Sequence, residues 1–353
     1  MKIVFVVDKK NSALYTNAYS RKLSTQDKVI VANEYSSPIK LLDKLLCESA
    51  DIVFFTWRQA VFDSLLADNS LKKLALLRAQ SLLGVLIPDH LGLMQERIQF
   101  EKKILDVCDY YFVTNMLLKE KYEENFGDFP PLAILHDLPN TELINSIKNT
   151  FPRIANNPPK IIWVGNSKWG ARQNIKDHKG YFRCIEPLKH VILNHRCCFD
   201  FEVIDSSKEF VPQEKVLEKI RKSDILIQAS RSEGTGIPLL EALGLGTPIL
   251  TTPVGISMEL LNMNPLHFII DSDANKIHEQ LHQIFDTNLI GTDVHLMYIF
   301  DRYISAARSE NVIFNRIGKR NINIVRYNNL RLQIKTKLIW IYRYLMQILN
   351  EIQ

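Results

Sequence analysis

Short apolar runs alternate with longer amphipathic stretches from the first residues onward. Runs at 2–7, 29–32, 51–56, 84–87, 110–114 and 132–135 are rich in Val, Ile, Phe and Tyr and are bounded by polar residues. Runs of that length suit strands covered on both faces of a parallel sheet. Between them, stretches such as 37–47 and 94–107 have helical spacing and helical length. The rhythm predicts a doubly wound α/β domain over 1–155. The prolines and asparagines of 151–159 continue neither helix nor strand, so a boundary belongs there. A second α/β unit over 156–310 follows, with strands predicted at 160–164, 199–204, 224–227, 248–251 and 267–270. Helices are predicted at 181–193, 211–221, 238–243 and 274–285.

The stretch 224–253 is the most informative. Its apolar strand ends near Glu233, followed by Gly234, Thr235, Gly236, Ile237 and Pro238. Glycine permits positive φ or close approach of a ligand, and proline suits the opening of a helix whose first N–H groups lack internal partners. Such an N-terminus, at the carboxyl end of a parallel strand, is a seat for phosphate or a sugar hydroxyl. Glu241 is expected in the first helical turn, where it could equally do no more than complement the helix dipole. Gly244 and Gly246 end the helix.

Glu233, seven residues and then Glu241, set in that glycine and proline frame, resemble the EX7E signature of retaining glycosyltransferases of the GT-B fold, family 4 type. The likeness is close over 160–285 and holds only in outline before that. It implies two Rossmann-like domains facing a cleft, with the acceptor on the first and a nucleotide-sugar donor on the second. It further implies that Glu233 touches the donor sugar, that the backbone of Gly234 to Ile237 holds sugar and phosphate, and that Glu241 accepts from the ribose hydroxyls.

The loop from Gly165 to Gly180 follows a strand and carries Lys168, Arg172 and Lys179. Lysine and arginine form charge-assisted bonds to phosphate and stabilise a departing diphosphate. The resemblance gives Lys179 that role and leaves Lys168 and Arg172 as alternatives for the second cation. It also places a histidine near the donor sugar, for which Asp89-His90 is the candidate; an ordinary hydrogen-bonded loop histidine is the plainer account. His136-Asp137 and residues 8–12 are further cleft candidates. Asp271 and Asp273 have the spacing of a metal-binding pair, but a residue before a helix more simply caps it. The adjacent Cys197 and Cys198 lack metal-ligand spacing.

Five cysteines in 353 residues form no disulfide framework, so reduced thiols in the cytoplasm are expected. The start carries no secretory signal pattern and no run suits a bilayer span. Charge is uneven: eight basic residues and one acid follow Asn311, a net +7 against +5 for the whole chain, which leaves −2 for the remainder. In 311–353, Leu330, Ile334, Leu338, Ile341, Leu345 and Ile348 recur at helical spacing among basic and aromatic residues. That basic amphipathic helix either packs back on the first domain or lies on anionic lipid; no nucleic-acid module accompanies it. The expected function is metal-independent, retaining sugar transfer from a nucleotide sugar to a glycan or lipid-linked acceptor of surface polysaccharide synthesis, with no cofactor. A nucleotide-sugar epimerase or hydrolase, and a catalytically silent scaffold, are the alternatives.

Overall fold

The computed structural model describes residues 1–319 except 11, 57, 68–69, 90–92, 96, 172–174, 195–198, 261–265, 270–271 and 287–292. Two parallel sheets organise it. The first contains β1 (Ile3–Val7), β2 (Lys28–Val31), β3 (Ile52–Phe55), β4 (Leu82–Ile87), β5 (Tyr110–Val113) and β6 (Ala133–Ile134), in the order β2-β1-β3-β4-β5-β6. The second contains β7 (Lys160–Gly165), β8 (Asp200–Asp205), β9 (Ile225–Gln228), β10 (Ile249–Thr251) and β11 (Leu266–Phe268), in the order β11-β10-β9-β7-β8. β1, β3, β5 and β9 are buried at every position, because helices cover both sheet faces.

Each predicted run yields a strand, with ends shifted by one or two residues. Winding in both directions from β7 places a topological switch point between β7 and β9. Ligands of open α/β sheets bind outside the carboxyl ends of such strands. The loops leaving β7 and β9 carry Lys179 and Glu233, so the topology already brings these two segments to one crevice.

One helix packs outside the domain expected of it. Helix Thr141–Thr150 buries Ile144 and Ile147 in the second domain's core, although it precedes the 151–159 segment. Periodicity identifies a helix but not the sheet that will cover it. Helix Asp293–Ser309 packs Leu296, Ile299 and Phe300 into the same core, and the chain then crosses back. In helix Val312–Lys319, Phe314 is fully buried among Phe5, Phe54 and Phe112, with ring centroids 5.2–5.9 Å away. The start of the 311–353 tail therefore packs on the first domain through Ile313, Phe314 and Ile317, and the stretch beyond 319 lies outside the described residues. Among the described residues no helix is long and apolar enough to cross a membrane.

Candidate functional site

The loop leaving β7 is anchored before it becomes basic. Asp205, at the end of β8, accepts from the Ser167 amide at 3.0 Å, the Ser167 hydroxyl at 2.6 Å and the Ser207 amide at 3.0 Å. Burial alone would raise the Asp205 pKa; these donors outweigh burial and lower it. Gly165 is small because a Cβ there would stand 2.5 Å from the Trp163 ring. Lys168 is exposed, and its amide donates to Asn166 Oδ1 at 3.0 Å.

The other end of the loop is pinned against β9. Asp177 caps the helical segment that opens with a π-helical turn at Tyr181–Ile185, accepting from the amides of Phe182 and Arg183 at 2.9 Å each. Gly180 has φ +67°, and a Cβ would lie 1.9 Å from the Ala229 carbonyl oxygen, so only glycine permits this approach. The approach delivers Lys179 to the end of β9. Its ammonium lies 2.5 Å from Glu233 Oε1, which also accepts from the Ser230 hydroxyl at 2.6 Å. The same ammonium stands 5.5 Å from the Trp169 ring centroid, a cation–π distance. Lys179 and Glu233 keep 20% and 11% of their side-chain surface exposed, so the pair borders solvent. A cavity of about 630 Å³ opens beside it, lined by Lys168, Trp169, Ile175, Lys176 and Phe182 among others, with Trp169 shared between cavity and ion pair.

The glycine loop differs from expectation in being covered. Gly236 has φ +80° and precedes helix Ile237–Gly244, as glycine at that place requires. Gly234, Thr235 and Gly236 are all buried, however, the first two against the first domain and Gly236 against Gln228. A Cβ on Gly234 would stand 1.6 Å from the Pro88 carbonyl oxygen. The Asn115 amide donates to the Gly234 carbonyl at 2.6 Å, and the Thr235 hydroxyl donates to Asp137 Oδ2 at 2.6 Å. Close approach to the loop is thus made by the chain itself.

Glu241 also departs from expectation. The helix begins at Ile237, one residue before Pro238, so Glu241 lies beyond the first turn and does not serve the dipole there. Only 4% exposed, it accepts from Gln213 Nε2 at 2.9 Å, and burial raises its pKa to about 7. The two glutamates of the motif therefore occupy unlike environments. The helix ends in a Schellman arrangement, with the Gly246 amide bonded to the Leu243 carbonyl and the Thr247 amide to that of Ala242.

In the first domain, Asp89 is engaged by Arg58 at 2.6 Å instead of standing free in the cleft; Arg58 also meets Glu101 at 3.2 Å. His136 lies between Glu259 at 2.9 Å and Glu310 at 2.5 Å. Burial would lower its pKa, and the hydrogen bonds to both glutamates reverse that and raise it to about 9. Asp273 accepts from the amides of Asn275 and Lys276 at 3.0 and 3.2 Å, so it caps the next helix. His90, Arg172, Asp271, Cys197 and Cys198 lie outside the described residues. Sequence reasoning did not single out Ser230, Trp169 or Asn115. Ser230 and Asn115 share one signal that was available, a polar residue just past the carboxyl end of a buried strand.

Residues 207–291, which contain Glu233, the glycine loop and Glu241, match the family described as Glycosyl transferases group 1. Two Escherichia coli O-antigen biosynthesis glycosyltransferases WclY are 24% and 26% identical over 226 residues, covering 54% of this chain and 61% of each relative. The chain thus spans about three-fifths of the length of these curated relatives. Among solved structures, Anabaena HepE in complex with UDP-glucose matches with a TM-score of 0.63 at 11% identity, covering 90% of this chain and 99% of that one. Sucrose-phosphate synthase from Thermosynechococcus elongatus matches with a TM-score of 0.59 at 13% identity, covering 90% and 99%. Likeness at such identities speaks for the fold: two Rossmann-like domains in the GT-B arrangement.

Proposed function

We propose that the protein transfers a sugar from a nucleotide-sugar donor to an acceptor hydroxyl, with retention of configuration and without a metal ion. The acceptor in this reading is a glycan or lipid-linked intermediate of surface polysaccharide assembly, as the O-antigen relatives suggest. The observation that carries the proposal is the Lys179–Glu233 pair at the β7/β9 switch point, with a narrow edge on solvent. Donor binding inserts between the two: Glu233 turns to the sugar hydroxyls, and the released Lys179 ammonium meets the diphosphate. Lys168, on the same loop, supplies the second cation. These charges act on the bond being broken, because the leaving nucleotide diphosphate gains negative charge as the glycosidic bond lengthens. The acceptor oxygen attacks from the face the diphosphate leaves, and a donor phosphate oxygen takes its proton. Glu241, poised near neutrality by burial, receives the ribose hydroxyls. The tail beyond 319, basic and amphipathic, supplies a peripheral contact with anionic lipid.

Thermal-shift titration with UDP-, GDP- and dTDP-glucose tests the donor. A ligand at a hundred times its dissociation constant adds about 2.7 kcal/mol to stability, a readily measured shift. Glu233→Ala is expected to lower transfer about 10²- to 10³-fold while nucleotide binding persists. Stability that no nucleotide changes, or transfer undiminished in Glu233→Ala, overturns the reading. The covered glycine loop favours one competitor, a catalytically silent scaffold, and that protein would show no nucleotide-dependent shift.

A further inference from the structure

Building on the donor reading above, we infer that Asn115 and Asp137 of the first domain are positioning residues that shape the donor loop 233–236 from across the domain junction. Three loops leave the carboxyl ends of β4, β5 and β6, and all three converge on two residues of the second domain. Pro88 backs Gly234 so closely that no Cβ fits. Asn115 Nδ2 donates to the Gly234 carbonyl at 2.6 Å, while its Oδ1 accepts from the Leu118 amide at 2.8 Å and caps helix Met116–Asn125. Both ends of the side chain are engaged, so it cannot turn without losing a bond.

Asp137 is held as firmly. It is 9% exposed; Oδ1 accepts from Asn17 Nδ2 at 2.6 Å and Oδ2 from the Thr235 hydroxyl at 2.6 Å. Its backbone carbonyl accepts from the Tyr303 hydroxyl at 2.9 Å. Hydrogen bonds to a carboxylate in a water-poor setting are among the stronger ones in proteins. The gripped residues sit between the donor-binding groups: Glu233 immediately precedes Gly234, and Gly236, immediately after Thr235, opens the helix. Fixing Gly234 and Thr235 therefore fixes the backbone from which the Glu233 side chain and the helix amides project. Donor affinity and domain apposition then become linked quantities, each shifting the other.

The test uses the full chain and whichever of UDP-, GDP- and dTDP-glucose stabilises it. Thr235→Val keeps the shape and removes the hydroxyl; Thr235→Ser keeps the hydroxyl. Asn115→Asp keeps the cap acceptor and removes the N–H donor. Calorimetric donor affinity and the separate changes in kcat and KM are read beside the melting temperature. Thr235→Val and Asn115→Asp are expected to weaken donor binding about tenfold and to lower kcat, with Thr235→Ser within about twofold of the unaltered chain, the range a charge-assisted bond commands. Adding Thr235→Val to Asp137→Ala should cost little beyond Asp137→Ala alone, since each removes the bond between these two side chains. Thr235→Val that binds donor like the unaltered chain, or additive effects in the double variant, overturns the inference while leaving the donor reading intact. An unaltered chain that binds none of the three nucleotides sinks the donor reading, and this inference with it.

Discussion

The junction around His136 and the face around Lys179 use the same kinds of charged side chain to opposite ends. At the junction, both ring nitrogens of His136 meet carboxylates and its backbone amide donates to Glu310 at 2.8 Å. Arg21, fully buried beside it, reaches Asn17 and Asn311 at 2.9 Å each and the His136 carbonyl. At the other face, the three-donor ammonium of Lys179 is directed at one carboxylate oxygen and keeps a solvent edge, and Lys168 is exposed. A charge whose bonding capacity is used up by the protein holds domains together. One left partly unsatisfied at a switch point remains available to a ligand.

Removing the cation from each region gives the largest contrast. His136→Leu removes the cation between Glu259 and Glu310 and leaves each carboxylate only a backbone amide, that of Met116 and that of residue 136, which is expected to cost about 3 kcal/mol at pH 7, measured by urea denaturation. Equal losses in His136→Leu and Lys179→Met would dissolve the distinction drawn between the two regions.

A pH series sharpens the same point. The folded pKa of His136 is about 9 against an ordinary value of 6.5. Its contribution is therefore fully present below pH 6.5 and is lost as pH rises through 9. The linkage relation sets it at roughly 3 kcal/mol. His136→Leu should abolish this part of the alkaline decline, and a decline that persists unchanged would show that other groups cause it.

Glu241 should give a somewhat smaller effect of opposite practical sign. Its folded pKa of about 7 exceeds the ordinary 4.5, so its contribution is present below pH 4.5 and is lost as pH rises through 7. Above that pH the ionised carboxylate is held in an apolar site. Glu241→Gln, still able to accept from Gln213, is expected to stabilise the chain by roughly 2–3 kcal/mol at pH 8 and to leave it unchanged below pH 4. A destabilised variant at pH 8 would mean that the carboxylate has partners beyond Gln213.

What could be read in the sequence divides along similar lines. The strands were legible because burial on both faces demands continuous apolar runs, and the glycine frame because Gly180 and Gly236 occupy positive φ. Lys179 and Glu233 come together because each follows a strand flanking the switch point. The cover on the glycine loop was not legible: Asn115 and Gly234 are 119 positions apart, Asp137 and Thr235 are 98 apart, and no local pattern records such pairings. Asn115 before a helix reads as a cap, which it is, and its second bond is invisible from the sequence. A helix starting one residue early was enough to move Glu241 out of the first turn.

The smallest expected effect is on stability in Lys179→Met, and its smallness carries the comparison. The methionine retains the apolar length that packs near Trp169 and removes only the ammonium. The pair is about as buried as the His136 junction, but it joins one ammonium to one carboxylate oxygen, so after desolvation and the entropy of ordering a lysine side chain it contributes about 1–2 kcal/mol. Ser230 still donates to Glu233, so no carboxylate is stranded. Stability should therefore fall by only about 1–2 kcal/mol, while affinity for a nucleoside diphosphate falls about tenfold or more, as expected on losing a charge-assisted phosphate contact. A loss of stability comparable to that of His136→Leu, with nucleotide affinity untouched, would make Lys179 a structural cation like those of the junction.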